Sequence, residues 1–496
     1  MKRGTFMDSF DDRYNVTRTG PAKTAIARLV AAIVFACAIA PPAQAGQDLP
    51  LPVKSALNYR RVPDDTLSIY VESIDTGEVV LAWNEAVPRN PASVEKMVTT
   101  LVALDTLGPV YTWKTDVFLL GETREGVLAG DLLLKGYGDP YLVTERFWML
   151  LRGIRQLGIS TIDGDLLIDD SYFDVGDYDP AAFDREPLRA YNVAPNAMLT
   201  NFKVVRYYFE PDPSSSRVIV RPDPGLENLE IVNQLRQASG PCRGYQRGIT
   251  ITPNDGANRI TFSGRFPNGC EIYAMDRTAL GHNEFTFGMF ATLWHESGGK
   301  ISGTWRSAVA PDDIEPAFSF ESLPLADIIT KVNKHSNNVM ARQLLYTLGA
   351  ETFGPPGTEA AGRKVVRTWL ADRGMDFAEL RLDNGAGLSR ESRMTARQLA
   401  ELLRYAYKGP YMPEYLSSLS LAGVDGTLSR RFRKGVLTGM AHMKTGSLDH
   451  VSSIAGYFQA RSGNRYIVVT LHNHTNIHRG PGEEVQEALL RWLYEK

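Results

Sequence analysis

The sequence predicts an α/β domain interrupted by a large β-rich insertion. Three observations carry that prediction. Helical and strand-like patterns occupy both ends of the chain. From about residue 115 to 315 the texture changes to short strand-like pieces between Gly, Pro, Asp and Asn turns. The 496 residues also exceed one domain and suit roughly three at about 150 residues each. Hydrophobic residues make up 43% and charged residues 22%, which excludes a disordered tail, a collagen-like chain or a polytopic membrane protein. The net charge of −3 argues against nucleic acid as a partner, because that needs a basic footprint.

The first 45 residues read as a secretory signal peptide. Lys23 and Arg28 precede an apolar run from Leu29 to Ala40, Pro41-Pro42 break it, and Ala43-Gln44-Ala45 supply a small-x-small cleavage site. Twelve apolar residues are too few for a spanning helix, which needs about 20. Cys37 follows Val34-Phe35-Ala36, but the bulky Phe35 argues for plain cleavage over a lipoprotein site. The expectation is a periplasmic protein with no stable membrane span. Cys242 and Cys270 would remain after cleavage. Export favours a disulfide between them, and two buried thiols are the alternative.

Residues 66–73 and 78–84 are strand-like around the turn Asp75-Thr76-Gly77. A helix is expected from Ser93, with Met97, Val98, Leu101, Val102 and Leu104 on its apolar side and Gly108-Pro109 as its stop. Inside the insertion, Val127–Lys135 and Thr161–Asp169 read as strands, and 211–225 as surface loops. Helical spacing returns from about 322 to 408, as in Leu325, Ile328, Ile329 and Val332. Residues 441–447, 451–460 and 465–472 read as strands, with a turn at Ser462-Gly463-Asn464. An amphipathic helix over 483–494 closes the chain.

Three short patterns carry chemistry. In Ser93-Val94-Glu95-Lys96 a serine and a lysine share one helix face. A lysine whose pKa is depressed by burial can take the serine proton and make the hydroxyl a nucleophile. Alone the pattern is weak, since an N-cap serine with a solvated lysine looks the same. Ser297-Gly298-Gly299-Lys300 matches it too, and reads as a turn before a strand. Ser336-Asn337-Asn338 lies between two helical stretches and offers a proton-shuttling hydroxyl and an amide. Lys444-Thr445-Gly446-Ser447 lies on an expected strand. Its cation and hydroxyls suit a carboxylate, its glycine admits a ligand backbone, and its edge can pair with an extended peptide.

In that order, Ser-x-x-Lys, Ser-x-Asn and Lys-Thr-Gly resemble the motif set of the penicillin-binding proteins and class A β-lactamases. The long separation from Ser93 to Ser336 is similar to the class C low-molecular-mass penicillin-binding proteins. These are D-alanyl-D-alanine carboxypeptidases, often also endopeptidases. Gly130-Asp131-Leu132, Gly138-Asp139-Pro140, Asp383-Asn384-Gly385-Ala386-Gly387-Leu388-Ser389-Arg390 and Ala422–Leu428 also resemble family segments. The resemblance implies a β-lactamase-type, transpeptidase-like α/β domain over 46–114 and 316–496. A second domain would cover 115–174 and 275–315, with a third, β-rich domain over 175–274 nested in it.

The resemblance also implies roles. Ser93 would attack the carbonyl between two D-alanines and form an acyl-enzyme, with Lys96 as its base. Ser336 and Lys444 would relay the proton to the departing D-alanine, and Asn338 would orient Lys96 and the substrate amide. Thr445, Gly446 and Ser447 would line the carboxylate site, and backbone N–H groups of Ser93 and Ser447 would form the oxyanion hole. Arg390 would receive the free end of a diaminopimelate side chain, with Asp184 or Glu186 as an acidic partner. Peptidoglycan stem peptides would be substrates and β-lactams covalent inhibitors, with no cofactor and no metal.

Three rivals remain at this stage. A β-lactamase, or an esterase of the same fold, needs its own deacylating machinery. The closest match to the class A Glu-x-x-Leu-Asn loop is Glu379-Leu380-Arg381-Leu382, where Asp383 stands in place of asparagine. A non-catalytic wall-binding relative would usually have lost the serine or lysine. A metal site at His472, His474 and His478 lacks a fourth ligand nearby.

Overall fold

The computed structural model describes residues 48–243, 248–254, 258–375 and 377–496, so the expected signal peptide lies outside the described residues. The two ends of the chain build one six-stranded antiparallel sheet. Its order is Ser420–Leu421, Ala441–Leu448, Val451–Gln459, Arg465–Asn473, Leu67–Ser73, Val79–Trp83. Successive side chains of a strand face opposite ways. Ile69 and Val71 accordingly join one apolar cluster while Tyr70 joins the other, and Ile454 and Ala455 divide likewise. The first cluster is closed by the helices Leu51–Arg60 and Pro481–Tyr494 through Val53, Leu57, Val485, Leu489 and Leu493. The second is closed by Lys96–Leu107, Leu325–His335, Asn338–Phe353, Glu359–Asp372 and Ala396–Lys408. Burial on both faces makes these strands nearly continuous apolar runs.

Residues 114–321 build three further sheets. One orders Lys300–Ile301, Thr161–Ile162, Val127–Gly136, Lys114–Arg124 and Phe318–Glu321, with Leu166–Asp169 and Trp305–Ser307 attached. The others order Ile249–Asn254, Arg259–Gly269, Glu230–Pro241 and Tyr273–Arg277, Val205–Pro211, Val218–Asp223. These two pack through aromatic rings, with Tyr207 and Phe209 centred 4.8 and 5.3 Å from Phe262.

Two helices sit where only β-structure was expected, at Thr144–Gln156 and His282–Glu296. Phe147, Leu150, Leu151 and Ile154 give the first an apolar stripe at helical spacing. The second is apolar around most of its girth, which erases the periodic signal. Both join the apolar cluster that holds Leu132 and Leu134 of the strand Val127–Gly136. The expected strand Thr161–Asp169 is also broken, at Gly164. A side chain there would come within 2.4 Å of the Gly130 carbonyl oxygen.

Cys242 and Cys270 are bonded, their Cα atoms 4.6 Å apart, 28 residues apart in sequence. In the chain-entropy account a loop of that length stabilises by about 3.6 kcal/mol. Replacing both cysteines with serine should therefore lower the melting temperature measured by calorimetry and leave β-lactam acylation unchanged. Among the described residues no helix is long and apolar enough to cross a membrane.

Candidate active site

The nucleophile candidate sits in a tight turn. Ala92–Glu95 form a 3-10 turn, and the α-helix begins at Lys96, three residues later than expected. Ala92 has φ +48°, a left-handed conformation costly for a residue with a side chain. Asn90 holds this strain in place. Its Oδ1 accepts from the Ala92 N–H at 2.8 Å and its Nδ2 donates to the Ser389 carbonyl at 2.8 Å. Asn473 clamps Asn90 from the sheet, accepting from its N–H and donating to its carbonyl. The result leaves Ser93 half-buried while Lys96 is fully buried.

Lys96 Nζ lies 3.0 Å from Ser93 Oγ and 2.6 Å from Asn338 Oδ1, and it also donates to the Ala386 carbonyl. Asn338 arrives at the start of the helix Asn338–Phe353. The preceding helix, Leu325–His335, ends with Ser336 at φ +54°, and Asn337 caps the next one by accepting from the Met340 N–H at 3.0 Å. Lys444 Nζ donates to Ser336 Oγ at 2.9 Å and to the Thr445 carbonyl at 2.9 Å. Ser93, Lys96 and Asn338 thus form one lysine-centred network, and Ser336 and Lys444 a second.

The strand Ala441–Leu448 pairs fully with Val451–Gln459, but Ser420–Leu421 opposes only Met443 and His442 on its other side. No described strand opposes 444–448 on that side, so an extended peptide can add there. Thr445 is half-buried and Ser447 exposed. Gly446 is a steric requirement. A Cβ there would lie 2.5 Å from the Pro91 carbonyl oxygen and 3.1 Å from the backbone nitrogens of Ser93 and Val94. The same close approach brings the backbone before Ser447 against the nucleophile turn.

Burial dominates the electrostatics. Lys96 is held well below its ordinary pKa, first by burial and then by the charge of Lys444. Burial pushes Lys444 down to about 7. A neutral Lys96 can accept the Ser93 proton, and Lys444 can both hold and release a proton near neutrality.

Several residues were not singled out from sequence. Thr445 Oγ1 donates to Thr427 Oγ1 at 2.8 Å, and Lys334 pairs with Asp425 at 2.5 Å, fixing the turn that carries Thr427. Asn90, Asn473 and the Ala386 carbonyl also escaped. Asp425 and Thr427 lay in a segment already noted, Ala422–Leu428, and Ala386 in another, Asp383–Arg390.

The expected acid beside Arg390 needs correction. Arg390 lies 3.7 Å from the Asp449 carboxylate, donates to the Asp449 carbonyl at 3.2 Å and stacks on Phe183. Asp184 is occupied by its own loop, accepting from Tyr191 and Asn192, and Glu186 lies 3.4 Å from Arg189. The strand end, not the 183–186 loop, carries the acid at Arg390. Glu379, the nearest match to a deacylating glutamate, accepts from Gln398 at 2.7 Å within a helix cap. His472 is buried beside Thr66 at 3.1 Å, and His478 lies 3.3 Å from Asp449. Among the described residues no group of three His, Cys, Asp or Glu side chains is placed to hold a metal ion.

Comparison with known proteins follows the same lines. The chain is 29% identical over 450 residues to a D-alanyl-D-alanine carboxypeptidase of Actinomadura sp. (strain R39), covering 86% of this chain and 81% of the relative. The crystal structure of penicillin binding protein 4 (dacB) from Haemophilus influenzae superposes with a TM-score of 0.77 at 21% identity, over 90% of this chain and 99% of that one. The same protein complexed with a β-lactam superposes with a TM-score of 0.72 at 21% identity, over 90% of this chain and 100% of that one. At that identity the likeness establishes the fold, a mixed α/β architecture with added β-sheets. The model of the D-Ala-D-Ala carboxypeptidase 3 (S13) family matches residues 52–496, and the chain belongs to that family of serine-type D-Ala-D-Ala carboxypeptidases.

Proposed function

We propose that this protein is a penicillin-sensitive D-alanyl-D-alanine carboxypeptidase, endopeptidase or both, acting on peptidoglycan stem peptides and cross-links in the periplasm, after loss of residues 1–45. The observation that carries this reading is the pair of lysine networks, with Lys96 Nζ 3.0 Å from Ser93 Oγ and Lys444 Nζ 2.9 Å from Ser336 Oγ.

A stem peptide ending in D-alanyl-D-alanine lies extended along the open edge of 444–448. Thr445 and Ser447, with Lys444, hold its terminal carboxylate. Lys96 takes the Ser93 proton as Oγ bonds to the carbonyl carbon between the two D-alanines. The oxyanion is met by the N–H groups of Ser93 and Ser447. Lys444 passes a proton through Ser336 to the departing amine, and the C–N bond breaks. Water then hydrolyses the acyl-enzyme. Arg390 and Asp449 together suit the carboxylate and ammonium of a diaminopimelate side chain, with Phe183 beneath. A β-lactam follows the same path to acylation, but its leaving group stays tethered and blocks water. In this reading the inserted segments, 115–174 with 275–315 and 175–274, form two nested domains beside the catalytic one.

Digesting purified peptidoglycan with the protein and weighing the products tests the reading. Loss of single D-alanine masses, conversion of cross-linked dimers to monomers, or both are expected. Unchanged muropeptides, or rapid nitrocefin turnover in place of stoichiometric acylation, would overturn it.

A further inference from the structure

The Ala386–Gly387 peptide bond is gripped at both ends by adjacent residues of the nucleophile turn. Its carbonyl accepts from Lys96 Nζ, and its N–H donates to Glu95 Oε1 at 3.1 Å. The same loop is stitched once more where Thr99 Oγ1 donates to the Gly385 carbonyl at 2.7 Å. Gly387 stands at φ +69°, and a side chain there would come within 2.0 Å of the Ala92 carbonyl oxygen. The loop is therefore seated tightly on the turn that presents Ser93.

Glu95 is itself anomalous. It is 1% exposed, in a position where a plain apolar residue would serve packing. The Ser392 hydroxyl beside it and the Gly387 N–H both favour its charged form against that burial. A carboxyl in such a place costs stability unless it does something. The charges facing the pair are Lys96 and Asp383 around Glu95, and Lys444 and Arg342 around Lys96.

We infer that Glu95 is a positioning residue for Lys96: through the Ala386–Gly387 peptide it aims Nζ at Ser93 and stabilises the positive charge that forms there during acylation. The inference rests on the acylation reading above. In that step the Ser93 proton moves to Lys96 Nζ, the Oγ–C bond forms, and the carbonyl electrons move onto oxygen. The site so gains a buried ammonium and an oxyanion at once. An ionised Glu95 polarises the intervening peptide, making its carbonyl a better acceptor for the ammonium. Burial pushes Glu95 up to about 7, so its charge is available at neutral and alkaline pH and fades below. Glu95 and Lys96 then titrate as a pair.

The test measures the second-order rate of acylation by a fluorescent penicillin from acid to alkaline pH, with the adduct located by mass spectrometry. Glu95→Gln keeps an acceptor for the Gly387 N–H and removes the charge. It should melt near the wild type yet acylate about tenfold more slowly at its plateau. Its acid limb should move to lower pH by about half a unit or more, because Lys96 loses the charge that raised its pKa. Glu95→Asp keeps the charge with a shorter reach, and should hold the limb closer to the wild-type position while remaining slower. Folded Glu95→Gln acylating at the wild-type rate with an unmoved limb, or Glu95→Asp no closer to the wild type than Glu95→Gln, would overturn the inference. Wild-type protein with no adduct on Ser93 would instead overturn the acylation reading beneath it.

Discussion

Ser93→Ala is expected to abolish covalent labelling by penicillin and to lower D-alanine release from a D-alanyl-D-alanine peptide by about 10^4-fold or more. The variant should melt like the wild type. Ser93 is half-buried, its hydroxyl contributes one hydrogen bond, and the turn that holds it is fixed by Asn90 and Asn473. A strong loss with unchanged melting assigns the hydroxyl to chemistry. A labelled Ser93→Ala protein would show that another nucleophile exists. Labelling on gels and release of free D-alanine report the two quantities separately.

Lys96→Met is expected to lower acylation about 10^3-fold, the usual scale for losing a general base. Its effect on stability should run the other way. Burial holds Lys96 well below the ordinary lysine value of 10.5, so the unfolded chain binds the proton that the folded chain rejects. The penalty therefore grows as pH falls from 10.5 and levels off below the lowered folded value. Methionine removes it, and the melting temperature should rise at neutral pH, with a smaller gain at alkaline pH. A variant that is both inactive and more stable marks a site where function opposes stability. Equal melting of both proteins across pH would contradict the buried, depressed state of Lys96.

The catalytic constellation was legible because each part is a local pattern read off the chain. Ser93 and Lys96 sit one turn apart, Ser336 and Asn338 two residues apart, and Lys444 to Ser447 on one strand. Long-range order then distinguished them from Ser297-Gly298-Gly299-Lys300, which forms the end of a helix and the start of a strand. What the sequence hid depends on topology or backbone. Arg390 finds Asp449 because the strand Ala441–Leu448 ends beside it, a proximity that no spacing encodes. The grip of Glu95 and Lys96 on Ala386–Gly387 runs through main-chain atoms, which carry no residue signature. The sheet strands were legible as short apolar runs bounded by turn residues. The helix His282–Glu296 was not, since burial around most of its surface removes the periodicity that marks an exposed helix.

Locating the penicilloyl group tests the central claim most directly. The protein is incubated with benzylpenicillin, digested, and its peptides sequenced by mass spectrometry. The account predicts one adduct per chain, on Ser93 of the segment Pro91-Ala92-Ser93-Val94-Glu95-Lys96. An adduct on any other residue, or none on folded protein, would contradict it.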